Sequence, residues 1–173
     1  MAEIELRDHI RDIPDFPKPG ILFRDITPML GNPVAFRESI RRLGDAFRDR
    51  QIDAIAAAEA RGFIFGAPLA IELGVGFVPI RKPGKLPYNT LCKEYQLEYG
   101  QDRLEMHSDA LASGNKILLI DDLLATGGTT KACCDLVAAT GAEVVACAFV
   151  IELCALKGRE LLAPIEVFSL LEY

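Results

Sequence analysis

Apolar positions along this chain change rhythm from helical spacing to unbroken runs, and the changes mark out the elements. Asn32 before Pro33 is a capped helix start, and Phe36, Ile40, Leu43 and Phe47 then share one helical face, predicting an amphipathic helix to about Arg50. Ile52 to Ala58 reads as a strand, Phe63 to Leu73 as a helix closed by Gly74, and Phe77 to Ile80 as a second strand, which together make a βαβ unit. The pattern then breaks at Lys82-Pro83-Gly84-Lys85-Leu86-Pro87, where two prolines and a glycine exclude both helix and central strand, and residues 82–94 are expected to form a mobile loop. Tyr95 to Tyr99 and Leu104 to His107 alternate like paired antiparallel strands. Ile117 to Ile120 is a continuous β-branched and Leu run, as a parallel strand covered on both faces requires, and Glu143 to Ile151 and Ile165 to Leu170 add further strands. Helices and strands alternate without repeats, so the class is α/β with a mostly parallel central sheet flanked by helices.

Composition narrows this further. A chain of 173 residues supports one well-buried domain, and no apolar run is long enough to span a bilayer. Met1 to Arg7 lacks the basic-then-apolar order of a secretory signal, so a cytoplasmic setting is expected. Five cysteines, an odd number without metal-ligand spacing, read as reduced core residues; the Cys133-Cys134 pair, open to a redox role, is placed by its predicted helix in the packing. A net charge of −6 argues against a nucleic-acid surface while leaving room for a local cationic pocket.

The chemistry concentrates where the strand at 117–120 ends. Asp121 and Asp122 follow it, and Leu123-Leu124-Ala125-Thr126-Gly127-Gly128-Thr129-Thr130 opens the next helix. Ligands in open α/β sheets bind outside the carboxyl ends of strands, and a helix start presents unpaired N–H groups and the positive end of the macrodipole to an anion. The missing Lys excludes a Walker A loop, and adjacent rather than spaced glycines exclude a dinucleotide fingerprint. An ordinary turn with solvated acids and a capping Thr is the alternative. A second anion site can be argued at Ala57-Ala58-Glu59-Ala60-Arg61-Gly62-Phe63, where turn amides and the Arg61 guanidinium suit a pyrophosphate; the competing reading is a surface Arg paired with Glu59 or Glu72. Phe16, Pro17, Pro19, Gly20 and Phe23 form an irregular stretch that suits either a stacking platform or a core-covering loop.

Apolar residues, two acids and a T-G-G-T turn resemble the signature of type I phosphoribosyltransferases. Gly20 to Pro28, Glu59 to Phe63, Arg81 to Pro87 and Leu97 to Gly100 match in order and spacing the members of that family that act on purines, over nearly the whole chain. The resemblance implies a single domain over residues 1–173, with a base-binding hood in 1–34 and a flexible lid and catalytic loop in 82–100. It also implies transfer of the 5-phosphoribosyl group from 5-phosphoribosyl-1-pyrophosphate (PRPP) to adenine, giving AMP and pyrophosphate through an oxocarbenium-like state. By the same likeness Asp121 and Asp122 address the ribose hydroxyls, and Ala125, Thr126, Gly127, Gly128 and Thr129 the 5′-phosphate. Glu59, Ala60, Arg61, Lys82 and Lys85 bind pyrophosphate, with a non-proline cis peptide at Glu59–Ala60. Leu22, Phe23 and Arg24 form the adenine pocket, Phe23 stacking on the base. Arg61 assists departure of the leaving group, Glu98 is the general acid/base, and Tyr99 closes over the sugar; from the residues alone Glu98 reads equally well as a plain surface acid.

The implied cofactor is Mg²⁺, held mainly by PRPP and waters with no dedicated protein ligand, and the implied assembly is a homodimer. Glu59-Ala60 stands where some members carry Asp-Ser, a departure that leaves the chemistry intact. Two other functions fit the motif. One is the same transfer to hypoxanthine, guanine or xanthine; the other is a non-catalytic PRPP sensor regulating transcription, for which residues 1–30 lack a basic helix-turn-helix pattern.

Overall fold

The computed structural model describes residues 4–97 and 100–173. A five-stranded parallel sheet is its centre, built from β3 (Ala54–Ala58), β4 (Gly76–Ile80), β7 (Lys116–Leu124), β8 (Glu143–Glu152) and β9 (Glu166–Glu172) in the spatial order β4-β3-β7-β8-β9. Two antiparallel hairpins stand outside it, β1 (Arg11–Pro14) with β2 (Leu22–Asp25) and β5 (Thr90–Leu97) with β6 (Gly100–His107). Helices α1 (Thr27–Gly31) and α2 (Pro33–Phe47) precede the sheet, α3 (Arg61–Leu73) links β3 to β4, α4 (Gly128–Ala139) links β7 to β8, and α5 (Gly158–Leu162) precedes β9.

The unbroken apolar runs are explained by cover on both faces. Ile55, Ala57, Leu118, Ile120, Ala146 and Ala148 pack with Leu43 of α2 and with Phe65 and Leu69 of α3. Their sequence neighbours Ala56, Ala58, Ile117, Leu119, Cys147 and Phe149 pack on the other side with Leu136 of α4 and with Leu104 and Met106 of β6. Period-two geometry sends successive side chains to opposite faces, so a doubly covered strand must be apolar throughout. Each fully buried large side chain, Phe65 for one, contributes about 1.5–3 kcal/mol over its exposed state.

Helix α2 begins where the sequence placed it, with the Asn32 side chain accepting the Val34 and Ala35 N–H groups at 3.0 and 3.1 Å. It stops at Phe47, short of Arg50. Four expectations need correction, the first being that all five cysteines lie in the core, since Cys92 and Cys154 are exposed. The strand expected over 117–120 runs on to Leu124, which places Asp121 and Asp122 inside β7 because β8 continues to pair with it as far as Leu124↔Glu152. Residues 90–94, expected in the loop, belong to β5, paired from Thr90↔His107 onward, so the irregular stretch after Arg81 ends at Asn89. Phe23, expected in an irregular stretch, sits in β2 opposite Ile13.

The connections fix the site. From β3 the chain crosses through α3 to β4 on one side, and from β7 through α4 to β8 on the other. The two crossovers diverge between adjacent strands β3 and β7, paired through Ala57↔Ile120, and this switch point opens the crevice at their carboxyl ends.

Candidate active site

Four segments converge on that crevice: the turn after β3, the end of β7 with the start of α4, hairpin β1–β2, and the Arg81–Asn89 stretch. After β3 the Glu59–Ala60 peptide is cis, as the resemblance implies, and Arg61 begins α3 directly. Arg61 Nε meets Asp122 Oδ2 at 2.9 Å. Neither Glu59 nor Glu72, the carboxylates weighed for it from sequence, takes that place. Gly62 explains how α3 approaches so closely, since a Cβ there would lie 3.0 Å from Asp121 Oδ1 and 3.2 Å from the Ile120 carbonyl.

The two acids differ. Asp122 is buried, and burial pushes its carboxyl above the ordinary range, with Arg61 pulling it back. Asp121 keeps part of its surface in reach of solvent, yet protein crowds it closely enough that desolvation dominates; burial first and the neighbouring Asp122 charge second hold its carboxyl well above the usual range. Asp121 Oδ1 accepts the Asp122 N–H at 2.9 Å.

Beyond the acids, Ala125 to Gly127 form the turn and Gly127, at φ 86°, caps α4. That left-handed conformation favours glycine, which lets the N–H groups of the first helical turn face the crevice. Thr126 is exposed, Gly128 and Thr129 are partly covered, and Thr129 Oγ1 donates to the Tyr95 hydroxyl at 3.5 Å. Thr130 is buried.

The cationic residues of the predicted pyrophosphate group are each paired with a carboxylate. Lys85 Nζ meets Glu59 Oε2 at 3.1 Å, Arg81 reaches the same oxygen at 3.4 Å, and the Lys82 N–H donates to Glu59 Oε1 at 2.6 Å. Burial pushes the Glu59 carboxyl up, but these donors outweigh it and hold it below its ordinary value. The Lys82 ammonium pairs with Asp102, which also accepts the Tyr95 hydroxyl at 3.3 Å. That hydrogen bond to Asp102 raises the Lys82 pKa and lowers that of Asp102.

In the hood, Phe23 meets Phe16 edge-on at 5.2 Å between ring centroids, and the Arg61 guanidinium lies 5.8 Å from the Phe23 ring. The aromatic platform is thereby brought beside the anion site. Leu22 is exposed. The Arg24 side chain points elsewhere, paired with Asp12 and 4.0 Å over the Tyr173 ring, so only its backbone is left to face a base. Glu98 and Tyr99 lie outside the described residues.

Sequence reading missed Asp102, Tyr95 and Tyr173. Asp102 and Tyr95 face each other across β5–β6, a register unreadable before both strands are placed, and Tyr173 is brought to Arg24 only by the sheet. Among the described residues no three His, Cys, Asp or Glu side chains converge to hold a metal ion, and no helix is long and apolar enough to cross a membrane.

A parallel sheet with a phosphate-type turn after β7 and a cationic turn after β3 defines a class. The chain matches the family described as Phosphoribosyl transferase domain over residues 29–170, and it belongs to that family. It is 63% identical over 169 residues to the adenine phosphoribosyltransferase of Methylococcus capsulatus, covering 98% of this chain and 99% of that one. Among solved structures it resembles the adenine phosphoribosyltransferase of Thermoanaerobacter pseudethanolicus with a TM-score of 0.94 and 54% identity, covering 97% and 98% of the two chains. It also resembles the Saccharomyces cerevisiae adenine phosphoribosyltransferase complexed with D-DIAB and adenine, with a TM-score of 0.90 and 42% identity over 95% of this chain and 96% of that one.

Proposed function

We infer that this chain transfers the 5-phosphoribosyl group of PRPP to adenine, releasing AMP and pyrophosphate. One observation carries the reading: Arg61, in the turn after β3, joins three of the four segments, with Asp122 of β7 at 2.9 Å on one side and the Phe23 ring of β2 at 5.8 Å on the other. A purine against Phe23 and a pyrophosphate on Arg61 would then flank a ribose held at Asp121 and Asp122.

The transfer breaks the bond from ribose C1 to pyrophosphate and forms one from C1 to a purine nitrogen, through a cation-like sugar. Arg61, Lys82 and Lys85 stabilise the charge that grows on the departing pyrophosphate, alongside the amides of Glu59 and Ala60. Ala125 to Thr129 fix the 5′-phosphate by backbone N–H groups, so that the reacting carbon is held in place rather than drawn from solution. Glu98 manages the proton on the base, and Tyr99 with the irregular 82–89 stretch screens the sugar from water.

Among the described residues no side-chain cluster would hold Mg²⁺ by itself, so the ion would be carried mainly by PRPP and waters, with Asp121 and Asp122 the nearest hard oxygen donors the protein would offer. When bound, the ion supplies Lewis-acid neutralisation of the diphosphate. Free cysteines fit a reducing cytoplasm, and the family likeness supports a homodimer, which light scattering would register.

A purine panel tests the reading. With PRPP and Mg²⁺, adenine should be consumed to AMP at least a hundredfold more efficiently than hypoxanthine, guanine or xanthine are to their nucleotides. A preference for a 6-oxopurine would reassign the base, and no turnover with any purine would leave only a PRPP-binding role.

A further inference from the structure

The 5′-phosphate turn does not stand alone: the backbone of Gly158, the first residue of α5, presses against it. A Cβ built on Gly158 would lie 2.3 Å from the Ala125 carbonyl oxygen, 2.9 Å from Leu124 Cδ1 and 3.1 Å from the Gly127 nitrogen. From the other side, a Cβ on Gly127 would lie 2.8 Å from the Gly158 carbonyl oxygen. Two backbones abut with no room for a side chain on either, so the position of one dictates the position of the other.

Gly158 is in turn held by its neighbour. Arg159 spans both oxygens of Glu152, Nε to Oε1 at 3.0 Å and a terminal nitrogen to Oε2 at 2.5 Å, and donates its other terminal nitrogen to the Val167 carbonyl at 2.8 Å. Glu152 is buried, and the Ser169 hydroxyl adds a further bond at 2.7 Å. The guanidinium thus ties the start of α5 to the end of β8 and to β9 with a planar fork that an ammonium cannot reproduce. The end of β8 is joined to β7 as well, since the Leu153 N–H donates to the Leu124 carbonyl at 2.9 Å, one residue before the phosphate turn.

We propose that Gly158 and Arg159 are positioning residues for PRPP: the Arg159–Glu152 clasp sets Gly158, and Gly158 sets the Ala125–Gly127 turn that grips the 5′-phosphate. This rests on the assignment of that turn to the 5′-phosphate. The adenine side on β1–β2 is linked to Arg159 only through the end of β9, where Glu172 meets Arg159 at 3.5 Å and Tyr173 lies under Arg24, whereas Gly158 touches the phosphate turn directly, so disturbing Gly158 acts first on PRPP.

Steady-state kinetics on the full chain tests it. Gly158→Ala forces the turn aside, and misplacement on the ångström scale costs about 10- to 100-fold, read as a raised KM for PRPP with KM for adenine within about twofold. Arg159→Lys, which keeps the charge but not the fork, should raise the PRPP KM in the same sense by a smaller factor, and Glu160→Gln, on the exposed side of α5, should change neither constant. Circular dichroism at the assay temperature reports whether each variant is folded. A folded Gly158→Ala protein with an unchanged PRPP KM overturns the proposal, as does an equal rise in both KM values. Should Gly158→Ala not fold, Arg159→Lys decides alone: a selective rise supports the buttress and unchanged constants overturn it. A wild-type chain that makes no AMP from adenine and PRPP defeats the functional reading instead, which calorimetric titration of PRPP into wild type and Gly158→Ala separates from the buttress itself.

Discussion

Replacing Asp121 by Asn should make the protein more stable and less able to bind PRPP. Burial first and the Asp122 charge second hold the Asp121 carboxyl well above its ordinary range, and Arg61 offsets only part of this. An acid whose folded pKa exceeds its unfolded value of about 3.9 holds more protons folded than unfolded between the two values, so stability falls as pH rises through that window. The penalty is absent at low pH and grows as pH rises toward the folded pKa. The magnitude follows from the contacts. Desolvating a carboxylate costs several kcal/mol after relaxation, while the Asp122 N–H at 2.9 Å returns about 1.5–3 kcal/mol as a bond to a charged acceptor. Asn keeps the accepting oxygen and about 1 kcal/mol of that bond, which leaves a net gain of about 1–2 kcal/mol, or about 3–6 °C in Tm for a chain of this size. Differential scanning calorimetry at pH 8 and pH 4.5 measures it: the gain should be clear at pH 8 and smaller at pH 4.5, with PRPP affinity down at least tenfold by titration calorimetry. A Tm at or below that of wild type at pH 8, or a gain of equal size at both pH values, would refute the electrostatic account.

Glu98→Gln should lower kcat about 10²–10⁴-fold with PRPP binding nearly kept, because only the proton step loses its acid/base group; unchanged turnover in a stopped assay would remove Glu98 from the mechanism. Gly66→Ala should destabilise by about 1–3 kcal/mol, read as the urea midpoint at constant slope, since a Cβ there would lie 2.7 Å from the Phe77 ring, 3.0 Å from Ala57 Cβ and 3.1 Å from Ile120 Cγ2. An undisturbed midpoint would mean that α3 moves off the sheet more easily than the packing suggests.

How far the sequence reveals this molecule depends on the range of the interaction concerned. The β7 strand, the acids and the glycine turn form one contiguous segment, and their chemistry follows from period, strand end and helix start, all local properties. The strand end expected at Ile120 lies at Leu124 for a non-local reason: β8 supplies hydrogen bonds through Leu124, so the ladder continues past the first acid. The start of β5 is likewise set from afar, since Thr90 to Glu94 become a strand only because Arg103 to His107 lie opposite. The position of Arg61 at a strand end points to the anion site, but its partner Asp122 comes from β7, the neighbouring strand in space and distant in sequence. Gly158 carries no local signal at all; the sequence shows a glycine before an Arg, and only the approach of two loops from different crossovers makes it indispensable.

The ion pairs of the crevice separate into two kinds, and the difference bears on how a site can be preorganised yet exchangeable. Arg61, Lys82 and Lys85 keep 47%, 47% and 50% of their side chains exposed, and each meets its carboxylate from the solvent side. Their carboxylates are more covered, at 6%, 21% and 9% exposure, so a pyrophosphate takes over each cation only by replacing that contact with several charge-assisted bonds of its own. The carboxylates have meanwhile kept the cations near the strand ends, sparing the ligand part of the cost of ordering them. Arg159 is also partly exposed, but it commits three nitrogens to two carboxylate oxygens and a carbonyl, so exchanging it would break three bonds at once. One arrangement hands cations to the leaving group; the other keeps the turn that holds the sugar phosphate still while that group departs.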